Sequence, residues 1–250
     1  MIHSFLLVGQ SNMAGRGFRD EVEPIQNKRI RVLRNGMWRD MYVPVNCDRA
    51  FSGVNLAESF ADAFSQAYDT DVGLIPCADG GTTLDQWKVG GLLYDHAVMQ
   101  ARLAARTSQL TAILWHQGES DCREELYPHY REKLEVILQG FRRDLDAPDL
   151  PILVGGLGDY LAECTYGDSY KNYHFINDAL RTLAAEGRNI GFVPADGLTS
   201  NPDHLHFNSA SLRTFGLRYF RVLQTLTLPS GQQKVDTDAA REIASGIEQL

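Results

Sequence analysis

Cysteine is scarce and scattered in this chain: four residues, at positions 47, 77, 122 and 164 of 250. No Cys-x-x-Cys pair occurs, so a zinc ribbon is excluded, and the spacing is not that of a disulfide-stapled secreted domain. An Asn-x-Ser/Thr glycosylation acceptor is also missing. No apolar run approaches the roughly 20 residues that cross a bilayer. The short apolar stretch Phe5 to Val8 lacks a Lys/Arg-bearing region before it, the length of a signal-peptide core and an Ala-x-Ala site after it, so it does not read as a signal peptide. These absences give the expectation of a cytoplasmic protein without a membrane partner. Basic residues are the minority, 24 against 32 acidic ones, for a formal charge of −8. An acidic surface repels phosphate backbones, so a nucleic-acid partner is not expected.

Nucleotide and metal motifs are missing too. Gly155-Gly-Leu-Gly158 would need a further glycine at 161, where Leu161 stands, so the dinucleotide fingerprint fails. No glycine-rich loop ends in Gly-Lys-Ser/Thr. His116-Gln-Gly-Glu119 is not His-Glu-x-x-His, and the scattered cysteines supply no ligand set. Neither a metal nor a cofactor is expected.

What is present is an ordinary globular composition, 44% hydrophobic and 22% charged, in a length that suits one large α/β domain. Short β-rich runs alternate with amphipathic segments. Strands are expected at Ser4–Gly9, Arg29–Leu33, Trp38–Val43, Val72–Cys77, Thr111–His116, Ile152–Gly156 and Ile190–Pro194. Asn35-Gly36 between the second and third of these is a hairpin signal. Helices are expected at Val54–Tyr68 with Ser52 as cap, Tyr94–Ser108, Glu124–Leu145, Lys171–Ala185, and from Asn208 or Ser209 to Leu226. Pro229-Ser-Gly breaks the pattern, so residues 1–228 read as one domain and 229–250 as a linker with a tail helix over Asp236–Leu250. The alternation predicts a three-layer α/β/α sandwich around a central, mainly parallel sheet. In such sheets the site lies beyond the carboxyl ends of the strands.

Polar clusters gather at those ends. Ser11 follows the first strand, flanked by Gly9 and Gly15, and is the candidate nucleophile; a turn or cap role is the alternative. His206 is the candidate base, with Asp203 three residues earlier to hold the imidazole; the loop could equally cap the helix that follows. His204 stands one residue from Asp203, a spacing that sends the two side chains apart. An oxyanion needs fixed donors, and the N–H groups of Ser11, Gly80 and Gly81 and the Gln117 amide are candidates. An ordinary turn accounts for the glycines equally well, and a buried loop-bracing amide for Gln117. Glu119 reads either as a second carboxylate for His206 or as a structural acceptor; the shorter tether favours Asp203 as the acid. Arg16 is a candidate substrate contact against an ion-paired alternative. Trp87 is a candidate sugar-stacking ring against a packing alternative.

Taken together, Gly9-Gln-Ser-Asn-Met13, Gly80-Gly81, His116-Gln-Gly-Glu119 and Asp203-x-x-His206 resemble, in order and spacing, the blocks of the SGNH (GDSL-like) hydrolase superfamily. They are most similar to its sialate O-acetylesterase and acetylxylan esterase branch, carbohydrate esterase family six, from about residue 3 to 222. The resemblance implies the SGNH fold and a Ser-His-Asp hydrolase that removes acetyl groups from sugars through an acetyl-enzyme, without metal or cofactor. It implies Ser11 as nucleophile and first oxyanion donor, Gly80 or Gly81 as second, and Gln117 where much of the superfamily has Asn. In some relatives the Gln-Gly-Glu glutamate is argued to be the helper acid, which keeps Glu119 open. With no export signal recognised, the expected partner is a small acetylated sugar rather than polymeric xylan. Two rival readings remain: a short-chain esterase or thioesterase acting on a non-sugar metabolite, and a non-catalytic sugar-binding protein on the same fold.

Overall fold

The computed structural model describes residues 1–228 and Gly246; the tail helix expected over Asp236–Leu250 lies outside the described residues apart from that one position. Seven strands form one sheet: β1 (Ile2–Gly9), β2 (Ile30–Arg34), β3 (Met37–Asp40), β4 (Asp71–Pro76), β5 (Ser108–His116), β6 (Ile152–Gly155) and β7 (Ile190–Val193), in the order β3-β2-β4-β1-β5-β6-β7. All neighbours are parallel except the β2–β3 hairpin, which turns at Asn35-Gly36 as the sequence suggests. Both turn residues have positive φ, 50° and 75°, the conformation these two side chains tolerate.

The helices are α1 (Ser11–Ala14), α2 (Leu56–Tyr68), α3 (Leu92–Ala104), α4 (Tyr130–Asp144), α5 (Tyr173–Glu186) and α6 (Ser209–Leu223). Strand residues alternate between two cores. Phe5, Leu7, Leu74 and Leu114 face α2 and α6, while Leu6, Val8, Ile75 and Trp115 face α3, α4 and α5. The inner strands therefore carry continuous apolar stretches, Phe5–Val8 in β1 and Ala112–Trp115 in β5, covered on both faces.

Three expectations need correction. Asn55, not Ser52, caps α2: its side chain accepts the Ala57 N–H, and Glu58 returns a bond to the Asn55 N–H at 2.9 Å. Ser52 instead hydrogen-bonds the Asp48 carboxylate at 2.8 Å. The long helix begins at Tyr130 rather than Glu124, because Pro128 sits in a separate 3-10 turn over Tyr127–His129 and cannot supply an interior helical N–H. Residue Ser108, expected to end α3, starts β5.

β1 is where the strand order reverses. β4 lies on one side of it and β5 on the other, with α2 and α3 on opposite faces of the sheet. The loops leaving β1 and β5 lie side by side at this carboxyl edge, the place where sites form in such sheets.

Candidate active site

Gly9 and His116 are opposite one another at the last rung of the β1–β5 ladder. Gly9 has φ +130°, and a Cβ there would lie 2.0 Å from the His116 carbonyl oxygen, so no side chain fits. This close approach seats the turn that carries Ser11 beside the 117–119 loop. Gln10 stays extended and donates its N–H to the His116 carbonyl at 2.9 Å, and α1 begins at Ser11.

Asp203 and His206 come from the loop between β7 and α6. The Asp203 carboxylate folds this loop by accepting the backbone N–H of Leu205 at 2.9 Å and of His206 at 3.0 Å through Oδ1. Its Oδ2 lies 2.6 Å from His206 Nδ1, and His206 Nε2 lies 3.0 Å from Ser11 Oγ. Burial pushes the Asp203 carboxyl up, but the His206 ring and the two backbone donors outweigh it and bring it down to about 2. His204, with φ +50°, points instead toward Glu163 at 3.6 Å. Asn208 caps α6 by accepting the Ser211 N–H at 2.9 Å, so helix capping and the Asp203–His206 contact occur side by side.

The glycine pair lies against the serine. A Cβ on Gly80 would sit 3.4 Å from Ser11 Cβ and 2.5 Å from Arg16 Nη2. The Gly80 N–H is already donated to Asp48 Oδ2 at 3.0 Å. Among the described residues, the N–H groups of Ser11 and Gly81 have no acceptor. Asp48, which the sequence reading did not single out, is thus a fixed element of this loop. It forms a buried pair with Arg16, 2.6 Å between Nη2 and Oδ2. Burial raises the Asp48 carboxyl, while Arg16, Ser52 and the Gly80 N–H together hold it below its ordinary value. Arg16 thus takes the ion-paired alternative: its Nη1 and Nη2 bond Asp48, Ser52 and the Gly15 carbonyl.

Gln117 is fully buried. Its amide nitrogen donates to Asp121 Oδ2 at 2.5 Å and to the Thr82 carbonyl at 3.0 Å, which engages both hydrogens within the chain. The side chain braces the 117–121 loop against the 80–84 loop. Asp121, also unforeseen, receives the Leu84 N–H as well, and burial pushes its carboxyl up to about 6 against these donors. Trp87 has no exposed surface. Its indole N–H donates to Thr82 Oγ1 at 2.9 Å and its ring packs edge-on against Trp115, so it cannot stack on a sugar. Glu119 is buried and bonds Asn12 Nδ2 at 2.6 Å and His116 Nε2 at 3.2 Å, not His206. Burial pushes the Glu119 carboxyl up, and His116 with the Asn12 amide more than reverses this. Among the described residues, no group of three or more His, Cys, Asp or Glu could hold a metal, and no helix is long and apolar enough to cross a membrane.

Comparison with known proteins adds an independent line. The model of a family described as "Carbohydrate esterase, sialic acid-specific acetylesterase" matches residues 1–225. A relative from Arabidopsis thaliana, "Probable carbohydrate esterase At4g34215", is 29% identical over 240 residues, covering 85% of this chain and 86% of its own. The crystal structure of that protein superimposes with a TM-score of 0.78 at 27% identity, over 89% of this chain and 98% of that one. The structure of NanS gives a TM-score of 0.67 at 19% identity, over 90% and 97% of the two chains, and shares the fold.

Proposed function

This chain belongs to the carbohydrate esterase family described as sialic acid-specific acetylesterase, and from that premise we propose that it is a serine O-acetylesterase acting on small acetylated sugars. The observation that carries the proposal is the relay Ser11 Oγ, His206 Nε2, His206 Nδ1, Asp203 Oδ2, with contacts of 3.0 and 2.6 Å. A serine hydroxyl is a weak nucleophile until a neighbouring base takes its proton.

In the proposed reaction His206 Nε2 accepts the Ser11 proton as Oγ attacks the acetyl carbonyl. Asp203, ionised because its three donors hold it so, keeps Nδ1 protonated and stabilises the imidazolium. The oxyanion is assigned to the N–H groups of Ser11 and Gly81, which have no acceptor within the described chain, while Gly80 and Gln117 donate elsewhere. The imidazolium returns its proton to the departing sugar hydroxyl, leaving acetyl-Ser11. Water, activated by His206, then releases acetate. Acyl-chain preference tests the substrate class. Acetylated sugars, including O-acetyl sialic acids and acetylated xylo-oligosaccharides, should be turned over with higher kcat/KM than butyryl esters or acetyl thioesters. The reverse order would favour the metabolite-esterase reading.

A further inference from the structure

We propose that Asn12 is the positioning residue that registers the general base on the nucleophile, and that Glu119 serves the reaction only through Asn12. This inference rests on the serine-hydrolase reading above.

Asn12 follows Ser11 directly and is fully buried. Its carboxamide reaches across to the two peptide groups that flank His206. Nδ2 donates to the Leu205 carbonyl at 3.2 Å, and Oδ1 accepts the Phe207 N–H at 3.0 Å. The backbone of His206 is thereby held from both sides by the neighbour of the residue it must deprotonate. The second Nδ2 hydrogen goes to Glu119 Oε1 at 2.6 Å. An amide can face its partners in two ways, but these three partners allow one. An ionised carboxylate and a carbonyl only accept, and a backbone N–H only donates, so nitrogen must face Glu119 and Leu205 and oxygen must face Phe207.

Glu119 hydrogen-bonds Asn12 and His116 and not the His206 ring, whose Nδ1 is taken by Asp203. Its Oε1 carries both of its side-chain bonds, to Asn12 and His116, and its Oε2 is buried without a partner. A buried carboxylate with its short bond aimed at one amide sets the orientation of that amide. Misplacing a reacting group by about 1 Å can cost on the order of 100-fold in rate, so loss of this clamp should appear in the chemical step rather than in substrate binding.

The test is a double-mutant cycle on the full chain with p-nitrophenyl acetate, reading kcat and KM separately alongside Tm. Asn12→Ala should lower kcat by about 30- to 100-fold with KM within about threefold. Glu119→Gln alone should cost about tenfold, and the double variant should be no slower than Asn12→Ala within about twofold. Losses that multiply in the double variant would show that Glu119 acts by another route, and near-wild-type kcat in Asn12→Ala would show that the clamp does not position the base. If Asn12→Ala does not fold, Asn12→Asp keeps size and the acceptor for Phe207 while setting two carboxylates against each other. Adding Glu119→Gln restores a donor between them and should raise kcat at least about fivefold over Asn12→Asp alone; absence of that rescue in folded protein overturns the inference. Ser11→Ala separates the two levels. If it keeps the wild-type rate, the serine reading falls and the inference with it. If it is inactive while Asn12→Ala is unaffected, the inference alone falls.

Discussion

Ser11 Oγ lies 3.0 Å from His206 Nε2 although 195 residues separate them in the chain. The sheet brings their loops to one edge, and the Asp203 turn aims the ring. Everything proposed for this protein's chemistry depends on that contact and on the carboxylate behind it.

The carboxylate assignment gives the first prediction. Asp203→Asn removes an anion held at about 2 by His206 and two backbone N–H groups. It should lower kcat by about 10³- to 10⁴-fold, because the imidazole loses the partner that fixes its tautomer. Glu119→Gln should cost far less, since Glu119 bonds Asn12 and His116 rather than the base. Steady-state kinetics of the two variants check this, and a larger loss in Glu119→Gln would reverse the assignment.

A second prediction concerns Trp87. The ring is buried against Trp115 and tied to Thr82. Trp87→Ala should destabilise the protein by about 3–5 kcal/mol. The milder Trp87→Phe should lower Tm and leave KM for an acetylated sugar within about twofold, as expected of a core residue that meets no substrate. A large rise in KM at unchanged Tm would return Trp87 to the binding surface.

Asp121 supplies a pH-dependent stability. Its folded-state value, about 6, lies above the unfolded one. Below about pH 4 both states are protonated and the group is neutral in effect. Between about 4 and 6 the folded state holds a proton that the unfolded state has lost, so this group's contribution falls as pH rises and levels off above about 6. The change is on the order of 2–3 kcal/mol. Denaturant unfolding across this range should show a shallower decline, or a rise, in Asp121→Asn relative to wild type. An identical slope in both proteins would contradict the shift.

Much of this fold is legible in the sequence. Inner parallel strands carry apolar stretches such as Phe5–Val8 and Ala112–Trp115 because both their faces are covered, and Asn35-Gly36 marks the turn of the antiparallel β2–β3 hairpin. Asp203-x-x-His206 was readable because its partners are three residues apart. Asn55-Leu-Ala-Glu58 has the spacing of a capping box, a local signal for the α2 cap that a reading centred on Ser52 passes over. What escaped was the long-range polar wiring. Asp48 meets Gly80 and Arg16 from 32 residues away, and Asn12 meets Glu119 and Phe207 across 107 and 195 residues. No periodicity or local spacing encodes such contacts. Likewise, whether an isolated Trp after a glycine turn faces solvent or core depends on what α4 and β5 place above it. Gln117 illustrates the same limit: its residue type fits an oxyanion donor, but Asp121, Thr82 and burial decide where its hydrogens go.

The central claim is that Ser11 carries the acetyl group between sugar and water. Its most direct test is rapid acid quench of the enzyme mixed with an activated acetyl ester, followed by peptide mass spectrometry. The account predicts a burst of product and an acetyl adduct on the peptide containing Ser11, both absent in Ser11→Ala. Turnover at the wild-type rate in Ser11→Ala, or an adduct on another residue, would contradict it.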